Sequence, residues 1–308
     1  MHFDLRELLI LSLKRKYYIF LITLAFAIYS VIYALSLSNI YKSDSILVPA
    51  KHSENNLSSS MGTLGNLSAI AGINLNLDGS DKSNLAIQVS KSKEFFLLLY
   101  QDDQFIAEMV AIKRYRPNEK IKLDDEVFDV KTMSWLPDSS SITGSKKPSF
   151  LDAQIKFLDK FSIKKNIESG FIEASMQSES PIIARAHLSK VINLLNETIK
   201  SMEVDDLNAS INYLEDQISK SNLIEVKNIL SRIMEQTIRS LMFSEISDEY
   251  ALKIIDKPHL PELKIAPARS TLCITITLLG FIVSSLFFLI FDLNRERIRT
   301  FLTIIRNN

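Results

Sequence analysis

The chain has 308 residues, and its 36 basic and 36 acidic side chains give a formal net charge of zero. Balanced charge provides no electrostatic case for nucleic acid, which needs a basic stripe or patch. A single cysteine, Cys273, excludes an intrachain disulfide, so the fold must hold together by packing.

The first predicted element is a charge-free apolar run, Tyr17 to Ser38, preceded by Arg6, Lys14, Arg15 and Lys16. Its roughly 22 residues at about 1.5 Å each match a hydrocarbon core of about 30 Å. A cleaved signal peptide is a poorer reading, because its apolar region is shorter and ends in small residues, whereas this run leads into Asn39-Ile40-Tyr41-Lys42.

Tyr41 to Val48 reads as a strand ending at Pro49. From Ser53 to Asn84 the chain is rich in Ser, Asn and Gly, which predicts a mobile loop around Ser53 to Ser60. The small-residue run Leu64 to Leu75 is expected to pack on a neighbouring subunit. Ser83 to Arg114 is helical in pattern, with Leu85, Val89, Phe95, Phe96, Leu98 and Leu99 on one face. Lys113 to Pro148 lacks regular periodicity and is broken by prolines, with Trp135 expected to pack, and Phe150 to Phe157 resumes a short helix. A hairpin follows, Phe161 to Lys165 and Phe171 to Met176, with Gly170 placed for the turn.

Pro181 opens a helix that Ser178 or Ser180 is expected to cap. No Gly or Pro interrupts it up to Ser219, so it would span about 58 Å. Leu188, Ile192, Leu195, Ile199 and Met202 follow a 4-3-4-3 spacing, and Leu207, Ile211, Leu214 and Ile218 resume it in a shifted phase after Asp205-Asp206. Leu223, Val226, Leu230 and Ile233 begin a second helix, and the short connection predicts an antiparallel hairpin. Its apolar seam calls for a partner helix or another subunit.

Glu249 to Asp256 reads as a strand able to pair with Tyr41 to Val48 in a membrane-proximal sheet, and Pro258, Pro261 and Pro267 keep the approach to the second span extended. That span, Ser270 to Phe291, is again charge-free and is followed by Arg295, Arg297, Arg299 and Arg306. Basic flanks at both outer ends place both termini in the cytoplasm and residues 39–269 across the membrane, in a bacterium the periplasm. Gly280 and Ser284 form a small-xxx-small face for close helix packing.

The resulting fold class is an α+β membrane protein: two transmembrane helices flanking a periplasmic α/β base domain with a long helical hairpin protrusion. The expected domains are a cytoplasmic N-terminus (1–16), a span (17–38), a periplasmic domain (39–269), a span (270–291) and a cytoplasmic tail (292–308). Within the periplasmic domain, 39–180 and 245–269 form the base and 181–244 the arm. No catalytic constellation stands out. Gly144-Ser-Lys-Lys147 lacks the spacing of a phosphate-binding loop, and His2, His52, His187 and His259 are dispersed. No metal or cofactor is expected. The candidate residues are surfaces for oligomerisation or helix packing: Leu188, Ile192, Leu195, Ile199, Ile211, Leu214, Ile218, Gly280 and Ser284.

The chain resembles the polysaccharide co-polymerases, or Wzz chain-length determinants, of bacterial inner membranes. The resemblance is carried by Asp4-Leu-Arg-Glu-Leu8 before the first span, Tyr41 with its strand to Pro49, and the Leu64 to Leu75 segment. It continues through the Gly170 strand, Ser180-Pro181, Ile211-Asn-Tyr-Leu-Glu215 and Tyr250-Ala-Leu-Lys-Ile-Ile-Asp256. It implies a non-enzymatic regulator of the chain length of a lipid-linked surface polysaccharide, commonly lipopolysaccharide O-antigen. Such a protein would form a homo-oligomeric ring and act with an integral-membrane polymerase and with the growing polysaccharide. The alternatives are a co-polymerase for capsule or exopolysaccharide export that works with a separate tyrosine kinase, and a two-anchor sensor. A sensor would call for a cytoplasmic output domain, which the short ends do not accommodate.

Overall fold

The computed structural model describes residues 16–50, 79–114, 122–138, 144–247 and 249–306. In chain order the elements are α1 (Lys16–Ser36), β1 (Ile40–Pro49), α2 (Gly79–Lys91), α3 (Lys93–Tyr100), α4 (Asp103–Val110), β2 (Ile112–Arg114), β3 (Lys122–Leu123), β4 (Phe128–Asp129) and β5 (Ser134–Trp135). They continue with α5 (Phe150–Lys160), β6 (Phe161–Lys165), β7 (Ile172–Ser178), α6 (Pro181–Lys220), α7 (Ile224–Ile246), β8 (Leu252–Asp256), β9 (Lys264–Ala266) and α8 (Arg269–Arg306). The Ser53 to Ser60 loop and the Leu64 to Leu75 segment lie outside the described residues.

Two compact units result, one from the two ends of the chain and one from Tyr41–Leu263. In the first, α1 and α8 pack against each other, and Tyr17–Ser36 and Arg269–Phe288 are each long and apolar enough to cross a membrane. They run antiparallel. Tyr18 meets Phe288 with ring centroids 6.0 Å apart, the Cys273 thiol reaches the Ser30 carbonyl at 3.8 Å, and Arg269 donates to the Leu37 carbonyl at 3.3 Å. Within Tyr17–Ser36 and Arg269–Phe288 most of the described side chains are exposed, as in a helix pair surrounded by lipid.

In the second unit an antiparallel sheet runs β6, β7, β1, β8. β1 pairs β7 from Tyr41 opposite Ser178 to Leu47 opposite Ile172, and on its other edge it pairs β8. The hairpin of β6 and β7 turns at Gly170, whose φ of 73° suits a residue without Cβ. Asn166 steadies that turn by accepting from the Glu168 and Ser169 amides. Alternation along β1 buries Ser43, Ser45 and Leu47. The two serines donate to carbonyls of the opposite segment, Ser43 to His259 at 2.7 Å and Ser45 to Asp256 at 2.6 Å. Hydroxyl bonds thus anchor this face at Ser43 and Ser45, while Leu47 on the same face packs in the apolar core.

The helical stretch expected from Ser83 to Arg114 is three helices and a strand. Ser92 accepts the Phe95 amide at 3.1 Å and Asp102 accepts the Phe105 amide at 3.0 Å. A short polar side chain that bonds its own backbone ends one helix and caps the next. Restarting the phase also leaves Leu98 exposed, while Phe95, Phe96 and Leu99 enter the core. β2 pairs antiparallel with β3, and β4 antiparallel with β5. Trp135 packs edge-on to Phe128 and donates its indole N–H to Asp103 at 2.9 Å.

The cap expected at the start of α6 differs too. Ser180 occupies the N-cap position, yet its hydroxyl is buried and makes no hydrogen bond to a described residue. Ser178 accepts the Ser180 amide instead, at 3.3 Å. Pro181 at the first helical position removes one amide that would otherwise need a partner.

Candidate functional surfaces

The 40-residue helix α6 organises the second unit. Along its first five turns Ile183, Ala184, Leu188, Val191, Ile192, Leu195 and Ile199 are buried. Leu188 through Ile199 join one core with Leu47, Phe95, Phe96, Phe157, Phe161 and Met176. Four of the candidate residues, Leu188, Ile192, Leu195 and Ile199, are therefore covered by the chain's own sheet and helices. At about 25 cal/mol per Å² of apolar surface, each contributes about 2 kcal/mol.

A buried polar residue fixes how this root meets the sheet. The Asn196 carbonyl accepts from the Ala251 and Leu252 amides at 3.1 and 2.8 Å, and its amide donates to the Leu252 carbonyl at 2.9 Å. Three bonds fill both acceptor positions of its oxygen, use one of its two N–H donors and satisfy backbone groups at the entry to β8.

On the flank facing α4, the His187 ring lies 4.3 Å from the Phe105 ring, and its Nε2 is 3.0 Å from Glu108, which also accepts from Gln104 at 2.8 Å. One turn on, Lys190 pairs with Asp102. Burial pushes the Glu108 carboxyl up, but its hydrogen bonds to His187 and Gln104 outweigh this and hold it below its ordinary value. Burial also opposes ionised Asp102, and Lys190 with the Phe105 amide again bring the carboxyl down.

Beyond Ile199 the partner of α6 changes. Lys200 donates to the Glu245 and Ser247 carbonyls at 2.7 and 3.2 Å, satisfying the last turn of α7. From there α6 pairs with α7. Leu214 is buried between them, whereas Ile211 and Ile218 are half-buried. Thr237 and Ser244 are buried on α7, and its other side leaves Ile238, Met242, Phe243 and Ile246 exposed, three of them at four-residue spacing. Exposed apolar side chains in such a row mark an interaction face.

In the helix pair, Gly280 is where α8 approaches α1. A Cβ there would lie 2.5 Å from the Phe26 ring, so only glycine fits without repacking. Ser284, one turn on, is buried and returns its hydroxyl to the Phe281 carbonyl at 3.0 Å. Both small residues thus lie inside the pair. Among the described residues no group of three or more His, Cys, Asp or Glu side chains converges in a way that could hold a metal ion.

Residues 1–97 match the family model for Wzz, chain length determinant protein. The chain resembles the Wzz family. No curated protein matches it. Among solved structures, this Wzz-like chain is similar to a full-length bacterial polysaccharide co-polymerase at 13% identity, covering 96% of this chain and 99% of that one with a TM-score of 0.42. A fragment of WzzB, a polysaccharide co-polymerase from Salmonella Typhimurium, aligns at 14% identity over 74% of this chain and 100% of its own, with a TM-score of 0.31. The A107P mutant of a Shigella flexneri lipopolysaccharide O-antigen chain-length regulator aligns at 11% identity over 73% and 99%, with a TM-score of 0.24.

Sequence reasoning missed Asn196, Ser43 and Ser45, because periodicity treats a polar residue as solvent-facing. It also missed the outer row on α7, since its seam ended at Ile233. The spacing of Ile238, Met242 and Ile246 was available as a signal.

Proposed function

We propose that this protein regulates the chain length of a lipid-linked bacterial surface polysaccharide, with lipopolysaccharide O-antigen the favoured polymer. It acts as a non-enzymatic homo-oligomeric scaffold beside the integral-membrane polymerase. It sits in the inner membrane with both termini cytoplasmic and residues 39–269 periplasmic. The match of residues 1–97 to the Wzz family carries this reading. The antiparallel pair of apolar helices supports it, because such a pair returns both ends to one side of a bilayer. Lys14, Arg15 and Lys16, with the arginines after the second span, support the cytoplasm as that side.

Oligomerisation is supported by the outer row of α7, which the described residues leave exposed. With the root of α6 enclosed, Met242, Phe243 and Ile246 are the residues we assign to contact with a second copy.

The test is deletion of the gene and complementation, with surface polysaccharide resolved by length on a gel. The reading expects a changed length distribution with polymer still made. Loss of capsule or exopolysaccharide would instead move the protein to the export co-polymerases that work with a tyrosine kinase. An unchanged distribution would overturn it.

A further inference from the structure

A cleft of about 520 Å³ opens between the outer face of the α6 root and the chain around β8. Arg185, Ser189 and Asn193 stand along one wall at successive four-residue steps, so their side chains repeat about every 6 Å on one helix face. Lys257 and Glu249 line the cleft with them. None of these five side chains has a hydrogen bond or ion pair with another described residue. Ile254 and Pro258, both half-buried, supply apolar surface in the same cleft.

Both walls are fixed. Asn196, buried on α6 three residues beyond Asn193, locks the helix to Ala251 and Leu252. Ser45 and Ser43 hold the opposite segment at Asp256 and His259, on either side of Lys257 and Pro258. The walls are thus pre-formed, and polar side chains without a partner among the described residues leave donors and acceptors open to a ligand.

We propose that this cleft binds an acidic saccharide, a short stretch of sugar carrying a carboxylate. Two cations against one carboxylate give the site a positive balance. Arg185 can take a carboxylate with two parallel N–H donors. Ser189 and Asn193, which both donate and accept, suit the hydroxyls of neighbouring sugar units. Ile254 and Pro258 suit the C–H face of a ring. The choice of a saccharide over another anion rests on the polysaccharide reading above.

The test uses the full chain in lipid nanodiscs, with tetragalacturonate, maltotetraose and inorganic phosphate as probes in calorimetric titration. Tetragalacturonate is expected to bind, and maltotetraose to bind about tenfold more weakly or less. Replacing Arg185→Ala and Lys257→Ala together should weaken tetragalacturonate about tenfold or more, with the thermal unfolding curve unchanged because both side chains are exposed. Glu249→Gln should tighten binding by about twofold, and added salt should weaken it. Absence of tetragalacturonate binding, equal binding by the double variant, or phosphate binding as tight as the tetramer would each overturn the proposal. So would a double variant that changes oligomer size without affecting saccharide, which would give the cleft to a second copy. A wild-type protein that controls polymer length but ignores tetragalacturonate would sink the cleft alone, whereas one without effect on length would sink the functional reading first.

Discussion

The two halves of α6 carry the same kind of apolar spacing and meet different surroundings. From Ile183 to Ile199 the stripe is enclosed by a sheet and four helices, and from Lys200 to Lys220 it meets a single helix, with Leu214 its one fully buried residue. Periodicity reports that a face is covered. The area and kind of cover come from chain segments far away in sequence, and they decide whether a residue serves stability or remains free for association.

The largest effect should come from the enclosed half. Leu188→Ala is expected to destabilise the second unit by about 2–5 kcal/mol, against less than about 1.5 kcal/mol for Ile211→Ala in the open half. Denaturant unfolding of the full chain in detergent measures both, and equal losses would erase the distinction between the halves.

Asn196→Ala should follow closely, at about 2–4 kcal/mol, because it strands two amides and a carbonyl of the Ala251-Leu252 segment. Hydrogen exchange should then show β8 opening before β7. A uniform change across both strands would mean that Asn196 only fills space.

The helix pair gives a third case, contact by close approach instead of enclosure. Gly280→Ala is expected to cost about 1–3 kcal/mol in thermal unfolding, and shortening the neighbour with Phe26→Ala should recover part of the loss. A second substitution that adds its own full cost would contradict direct contact.

A smaller, pH-dependent effect should appear at the root. The Glu108 and Asp102 carboxyls are lowered in the folded state, so their contribution is present above the ordinary carboxylate range and is lost as pH falls through the lowered values. Glu108→Gln should flatten that acid limb of the stability profile while leaving the arm's response to Ile211→Ala unchanged. An acid limb of the same slope in the variant would remove Glu108 from the account.

Least of all should stability change on the outer row of α7. Met242→Asp with Ile246→Asp is expected to shift unfolding by no more than about 0.5 kcal/mol, since neither side chain is enclosed within the chain. Mass measurement in nanodiscs should nonetheless show smaller assemblies. Unchanged assembly size would free this face from any role in association.

Much of the fold could be read locally. Charge-free runs gave the two apolar helices, Gly170 gave the hairpin turn, and the lack of Gly or Pro after Pro181 gave the long helix. Three features could not be read this way. Ser92 and Asp102 each accept an amide three residues on, which offers the backbone an alternative to helix continuation that periodicity does not register. Ser43 and Ser45 turn inward because acceptor carbonyls more than 200 positions later lie opposite them. For the seam, Leu188 to Ile218 identified a face without identifying what covers it, and the cover changes within a single helix. The resemblance over residues 1–97 concerns a part of the chain that precedes α6 altogether, so it carries no information on that change.

Lys200 marks a fulcrum. Beyond it α6 continues without a break for about 30 Å of rigid rod, so a tilt of 10° at the root displaces the tip by about 5 Å, the width of one helical turn. A change of fit at the cleft, too small to see at its own walls, would therefore be amplified where the arm ends.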